Sequence, residues 1–215
     1  MLGNTLRYAL FDLDNTLYPK SCGLMPEIGR RINLYMTERL GIEEREVSQR
    51  RDAFLKKWGT TLNALRRHYS VDPDEYLNFV HDIPLDGYVR ENAKLVRMLK
   101  RTALRKVIFT NADAGHARRV LSRAGILYHF ESIIDIHALD FINKPDRRAY
   151  LRALDFIDAC PEECVLIEDS PVNIKPAREL GMITVLVGSD TTNTGAHHHI
   201  QNITDFEGLN FSTHL

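Results

Sequence analysis

The chain is poor in the residues that staple, anchor or strongly charge a protein. Only three cysteines occur in 215 residues, Cys22, Cys160 and Cys164, an odd number without the spacing of a disulfide-stapled secreted domain. Cys160-Pro-Glu-Glu-Cys164 has the form of half a metal site. No second Cys/His pair stands at partner spacing, however, and Cys164 opens an apolar run that reads as a strand with a buried thiol. No apolar stretch approaches the length of a membrane span, and the amino-terminal residues lack the basic-then-apolar order of an export signal. The expectation is a cytoplasmic protein with no membrane partner. An excess of one charge is also missing, with 28 Lys+Arg against 29 Asp+Glu and a formal net charge of -1. Arginine pairs at 30-31, 50-51, 66-67, 118-119 and 147-148 fall in helix-like stretches. Solvated helix faces account for them, so no nucleic-acid polymer is expected as a partner. Internal repeats and low-complexity tracts are absent. His197-His198-His199 is flanked by polar residues and reads as a surface loop rather than a metal tract.

What is present is an ordinary globular balance, 44% hydrophobic and 27% charged, in a length suited to one core domain with a modest insertion. Short apolar, β-branched runs recur at Tyr8–Phe11, Lys106–Phe109, Ser132–Ile134, Val165–Ile167 and Ile183–Val187. Runs this short and this continuous fit strands buried on both faces. Helical patterns lie between them, at Glu91–Arg101, Gly115–Ala124, Arg147–Phe156 and Ile174–Leu180. The alternation predicts an α/β fold, an open parallel Rossmann-like sheet. From Pro19 to Asp86 the pattern is helical only. Ile28, Ile32, Met36 and Leu40 share one face, with Gly41 closing that helix; Val47, Phe54, Leu55 and Trp58 line the apolar side of the next. Asp72-Pro73-Asp74-Glu75 carries an N-cap, a proline at N1 and an acid at N3. The domain reading is therefore a core of 1–18 and 87–215, interrupted after the first strand by a small helical cap, 19–86.

Polar residues gather where these strands end, and ligands of open α/β sheets bind beyond the strands' carboxyl ends. Asp12 directly follows the first run, and Asp14 stands two residues on. Two close carboxylates repel unless a cation lies between them, and Mg²⁺ prefers such hard oxygen ligands. Thr110-Asn111 follows the second strand, Lys144-Pro145-Asp146 precedes a helix, and Glu168-Asp169-Ser170 follows a third buried run. Helix capping explains each group singly. It does not explain four of them in this order, with a second acidic pair set to face the first.

These residues resemble the four motifs of the haloacid dehalogenase superfamily. Asp12-x-Asp14-x-Thr16 is similar to its first motif, Thr110 to the second, Lys144 to the third and Glu168-Asp169 to the fourth, over Tyr8 to Val187. The helical insertion corresponds to the superfamily's small cap. The resemblance implies catalysis by Asp12 as nucleophile and Asp14 as general acid and base, through an aspartyl-phosphate. It implies Mg²⁺ held by Asp12, the backbone carbonyl of Asp14 and Asp169, with Glu168 acting through water. Asn173 stands where a further aspartate is common and would belong to the outer metal shell. Thr110, Asn111 and Lys144 would bind phosphate. Phe11-Asp12-Leu13-Asp14-Asn15-Thr16-Leu17-Tyr18, Trp58-Gly59-Thr60-Thr61-Leu62 and Glu168-Asp169-Ser170-x-x-Asn173 are similar to the pyrimidine 5′-nucleotidase branch. That implies UMP- or CMP-like substrates. Thr60 and Thr61 lie at a helix junction where their hydroxyls either face the leaving group or simply cap the helix, and Tyr18 and Trp58 offer either stacking surfaces or packing for the cap's core. The alternatives are a phosphatase of a sugar or hydroxyacid phosphate, a phosphosugar mutase and, less well supported, a dehalogenase or a non-catalytic phosphate-binding module. A small-molecule phosphomonoester is the expected partner, and the oligomeric state is read no further than monomer or weak dimer.

Overall fold

The computed structural model describes residues 6–188 and 195–211. Among them are six strands: β1 (Tyr8–Phe11), β2 (Arg105–Phe109), β3 (Ser132–Ile134), β4 (Cys164–Glu168), β5 (Ile183–Val187) and β6 (His198–Ile200). Helices α1 (Leu24–Glu38), α2 (Glu44–Trp58), α3 (Thr61–Tyr69) and α4 (Pro73–His81) follow β1 directly. The others, α5 (Ala93–Arg101), α6 (Ala114–Arg123), α7 (Arg147–Phe156) and α8 (Pro171–Leu180), alternate with the later strands. The strands form one parallel sheet in the order β3-β2-β1-β4-β5-β6. This is the α/β architecture with a helical insertion after the first strand. Two compact units are present, Met1–Pro19 with Arg90–Leu215, and Lys20–Val89.

In the sheet-bearing unit, β1, β4 and β5 are buried at every position. Their sequences fail to alternate because a parallel sheet is covered on both faces. On one face Leu10, Phe109 and Leu166 pack with Tyr150 and Ala153 of α7 and Ala177 of α8. On the other, the Phe11 ring meets Phe130 and Phe206 edge-on, each at 5.7 Å. The aligned registers Phe11↔Ile108 and Phe11↔Ile167 bring the carboxyl ends of β1, β2 and β4 level with one another. The chain moves outward from β1 to β2 and β3, then returns to the other side of β1 with β4. That reversal opens a crevice at the strand ends.

Two features of the core depart from the sequence expectation. His198–Ile200 is not loop but β6, pairing with β5 through Val185↔His198. Its period-two pattern is too short to register against its polar flanks, and it forms only as an edge strand templated by β5. Gly87, read as the first residue of the returning core, lies in a 3₁₀ turn, Leu85–Gly87, of the inserted unit.

The inserted unit is closed by local signals. Gly59, at φ 77°, ends α2 in the left-handed conformation that glycine tolerates. Thr60 then caps α3 by accepting from Asn63 N–H at 3.2 Å, and Asp72 caps α4 by accepting from Glu75 N–H at 2.9 Å. Long-range ties hold the helices together. The Arg51 guanidinium reaches from α2 to the Gly29 carbonyl at 2.9 Å and Asn33 Oδ1 at 2.6 Å. Arg31 donates to the Phe79 carbonyl and stacks 4.5 Å over its ring. Leu55, expected on the apolar side of α2, is 44% exposed. Only Val47 of that helix is fully buried, because α2 is mostly charged and packs along a narrow stripe. Among the described residues no helix is long and apolar enough to cross a membrane.

Candidate active site

The loop leaving β1 folds back on itself. Asp12 extends the β1–β4 pairing by one bond, its N–H donating to the Ile167 carbonyl at 2.9 Å. Thr16 and Leu17 N–H then both return to the Leu13 carbonyl, a turn made possible by Asn15 at φ 62°, a conformation asparagine adopts more readily than most residues. The turn sets side chains four residues apart against each other. Thr16 Oγ1 donates to Asp12 Oδ2 at 2.9 Å, and Tyr18 Oη donates to Asp14 Oδ1 at 2.5 Å. Asp12 is thereby pinned at the sheet edge, while the Asp14 carboxylate is held apart from it by its own partner.

Lys144 supplies the counter-charge. It precedes α7, and Asn111 fixes its backbone on both sides: Lys144 N–H donates to Asn111 Oδ1 at 2.8 Å, and Asn111 Nδ2 donates to the Lys144 carbonyl at 3.0 Å. The side chain then runs inward, 2% exposed. Its ammonium donates to Asp12 Oδ1 at 2.8 Å, Glu168 Oε2 at 2.7 Å and the Phe109 carbonyl at 2.8 Å. Three donors meet three acceptors, so the ammonium is saturated. Burial works to lower the Lys144 pKa, but the Asp12 and Glu168 charges override it and hold the pKa above the ordinary lysine value. Burial pushes Asp12 up to about 7, with the Glu168 charge adding to the rise and Lys144 opposing it. Burial also raises Glu168, against Lys144.

Asp12, Glu168 and Asp169 each offer a carboxylate oxygen within 4.8 Å of the others. Glu168 Oε1 accepts from Asp169 and Ser170 N–H, both at 3.1 Å, so the loop after β4 wraps around that carboxylate. The Lys144 ammonium pairs with two of these carboxylates, Asp12 and Glu168, and the three lie close enough together to share a cation. The donors are all hard oxygens. Both properties fit a divalent cation such as Mg²⁺ and disfavour soft metals. The Asp14 side chain stays outside this cluster, turned toward Tyr18 and His116.

The remaining sequence candidates fall as follows. Thr110 follows β2, 1% exposed, and its Oγ1 accepts from Ala112 N–H at 3.0 Å. The Asn111 amide is engaged with Lys144, as above. Asn173 is buried on α8 and its carbonyl accepts from Tyr150 Oη at 2.7 Å. Tyr18 is buried in the β1 loop, with its hydroxyl on Asp14. Within the inserted unit, Thr60 is the helix cap already described, Thr61 is 3% exposed, and the Trp58 ring lies under the Arg67 guanidinium at 4.6 Å. One residue was missed. His116 of α6, 2% exposed, places Nε2 3.3 Å from Asp14 Oδ1. Its signal in the sequence is a histidine in the first turn of a helix that starts just beyond a strand's carboxyl end, in the same apolar stripe as Ala117, Val120 and Leu121.

Comparison with known proteins identifies the family. The family model described as haloacid dehalogenase-like hydrolase matches residues 6–181, and the chain belongs to that family. Phosphate metabolism protein 8 of Saccharomyces cerevisiae is 26% identical over 187 residues, covering 80% of this chain and 58% of the yeast protein. The chain thus spans little more than half of that relative. Glyceraldehyde 3-phosphate phosphatase of Methanopyrus kandleri is 24% identical over 221 residues, 94% of this chain and 92% of that protein. Among solved structures, a HAD phosphatase from Thermococcus onnurineus superposes with a TM-score of 0.66 at 19% identity, covering 94% of this chain and 97% of the other. The HAD-hydrolase YfnB from Bacillus subtilis, solved bound to magnesium, gives 0.61 at 16% identity, covering 95% and 98%. At these identities the superpositions show a shared fold.

Proposed function

We propose that this haloacid dehalogenase-like hydrolase is a Mg²⁺-dependent phosphomonoesterase that works through an aspartyl-phosphate on Asp12. The observation that carries the reading is the Asp12 carboxylate itself, fixed at a strand end by Thr16 and a buried Lys144, beside Glu168 and Asp169, with Asp14 in the same loop. An Asp12 oxygen attacks phosphorus, the bond to the leaving oxygen breaks, and Asp14 gives that oxygen its proton. In the second step Asp14 takes a proton from water as the water attacks phosphorus, and the Asp12–phosphorus bond breaks to free phosphate. Asp12, Asp169 and the Asp14 carbonyl would hold Mg²⁺, which when bound neutralises phosphoryl charge and draws Asp12 toward its ionised form. Lys144 keeps a positive charge next to the nucleophile, while Thr110 and the Asn111 backbone N–H supply donors to the phosphoryl oxygens.

The finer part of the proposal is the leaving group, a pyrimidine nucleoside of UMP or CMP. It rests on the phrases around Asp12, Trp58 and Glu168. A phosphate-release screen over nucleoside monophosphates, sugar phosphates and hydroxyacid phosphates, with and without Mg²⁺, tests both levels. The expected result is release that requires Mg²⁺ and favours UMP and CMP. Preference for small sugar or hydroxyacid phosphates would overturn the leaving group alone. Undiminished release by Asp12→Asn would overturn the chemistry.

A further inference from the structure

We infer that Tyr18 and His116 are positioning residues that aim the Asp14 carboxyl toward the reacting oxygens. The inference rests on the general acid and base role of Asp14 given above. Both groups converge on the same atom: Tyr18 Oη lies 2.5 Å and His116 Nε2 3.3 Å from Asp14 Oδ1. They arrive from different elements, Tyr18 from the loop after β1 and His116 from the first turn of α6, which lies 102 residues beyond Asp14. Both are nearly inaccessible, Tyr18 at 5% and the His116 side chain at 1%, while the Asp14 side chain is 18% exposed. Of the three groups the carboxyl is the most exposed, and both neighbours bear on its Oδ1.

A carboxylate oxygen accepts from the tyrosine hydroxyl, and facing the same acceptor His116 takes the tautomer with its proton on Nε2. Two donors on one oxygen fix the plane of the carboxyl. Its proton passes to the leaving oxygen as the phosphorus–oxygen bond breaks, and in the second step the carboxylate receives the proton of the attacking water. General acid catalysis depends on holding the carboxyl within hydrogen-bond reach of the reacting oxygen, and effects of about 10²–10⁴-fold hang on it. Neither residue touches the phosphoryl group in this scheme. Their contribution is the orientation of a third.

Leaving groups separate this role from general structural support. A nitrophenolate departs without a proton, whereas an alkoxide needs one, and kcat/KM covers the steps through departure of the leaving group but not hydrolysis of the aspartyl-phosphate. We would measure kcat/KM over a series of aryl and alkyl phosphates of rising leaving-group pKa for wild type, Tyr18→Phe, His116→Leu and His116→Gln. Thermal unfolding of each variant would be followed alongside. The expected result is a steeper fall of kcat/KM with leaving-group pKa in Tyr18→Phe and His116→Leu, with alkyl phosphates losing ~10-fold or more beyond the loss seen with nitrophenyl phosphate. His116→Gln, which retains an N–H donor, should recover part of the wild-type slope. Equal losses across the series, giving parallel lines, would overturn the inference while leaving the nucleophile in place. Failure of the underlying phosphatase reading would appear differently, as phosphate release that survives Asp12→Asn.

Discussion

Lys144 in the sheet-bearing unit and Arg51 in the helical insertion both reach far along the chain, and they are used in opposite ways. The lysine ammonium is directed at two carboxylates and one carbonyl in a buried pocket. The arginine guanidinium is directed at a backbone carbonyl and a side-chain amide, both neutral. Arg31 bonds the neutral Phe79 carbonyl and lies 3.8 Å from the exposed Asp82 carboxylate. Polar groups in the insertion satisfy helix ends, tie helices together and form ion pairs with exposed partners, an arrangement that supports structure. At the strand ends, burial and the Glu168 charge together outweigh Lys144 and push Asp12 up to about 7. That electrostatic tension costs stability and is characteristic of a site built for chemistry.

The contrast leads to graded expectations. The largest effect belongs to Asp12→Asn, which should lower phosphate release by at least about a thousandfold, since an amide cannot serve as the nucleophile. Lys144→Met comes next. It leaves two buried carboxylates facing each other without the ammonium, and breaking such a pair costs about 3–5 kcal/mol. Urea unfolding should show that loss, and activity should collapse with it. In the insertion, Arg51→Ala removes bonds to neutral acceptors and should cost only about 1–2 kcal/mol. An Arg51→Ala loss as large as that of Lys144→Met would erase the distinction between the two units. Thr60→Ala should cost about 1 kcal/mol through its helix cap, with Thr60→Ser close to wild type. Leu55→Gln, at an exposed position, should stay within about 0.5 kcal/mol.

Much of the sheet is legible in the sequence because parallel strands are continuously apolar and short. β1, β3 and β5 begin and end where their apolar runs do. β6 is not legible, since its pairing comes from β5 rather than from its own composition. Helix caps such as Asp72 and Thr60 show in the sequence because capping is a local bond spanning three residues. Leu55 misleads because periodicity defines a face without saying how wide a stripe the neighbours cover. The charged residues of the site stand out as polar residues at strand ends. Their partnerships do not: that Asn111 clasps the backbone of Lys144, or that His116 meets Asp14, depends on loops brought together by strand register. Tyr18 illustrates the same limit. As a sequence it offers an aromatic ring, and in the fold its hydroxyl is the part that makes a defined bond.

The claim on which the rest depends is that phosphorus becomes bonded to Asp12. A single turnover with a phosphomonoester substrate, quenched in acid and reduced with borohydride, converts an aspartyl-phosphate to homoserine that peptide mapping can locate. The account predicts homoserine at position 12, formed in the presence of Mg²⁺ and absent from Asp12→Asn. Phosphate released at the wild-type rate with the Asp12 peptide unmodified, or modification at another residue, would contradict it.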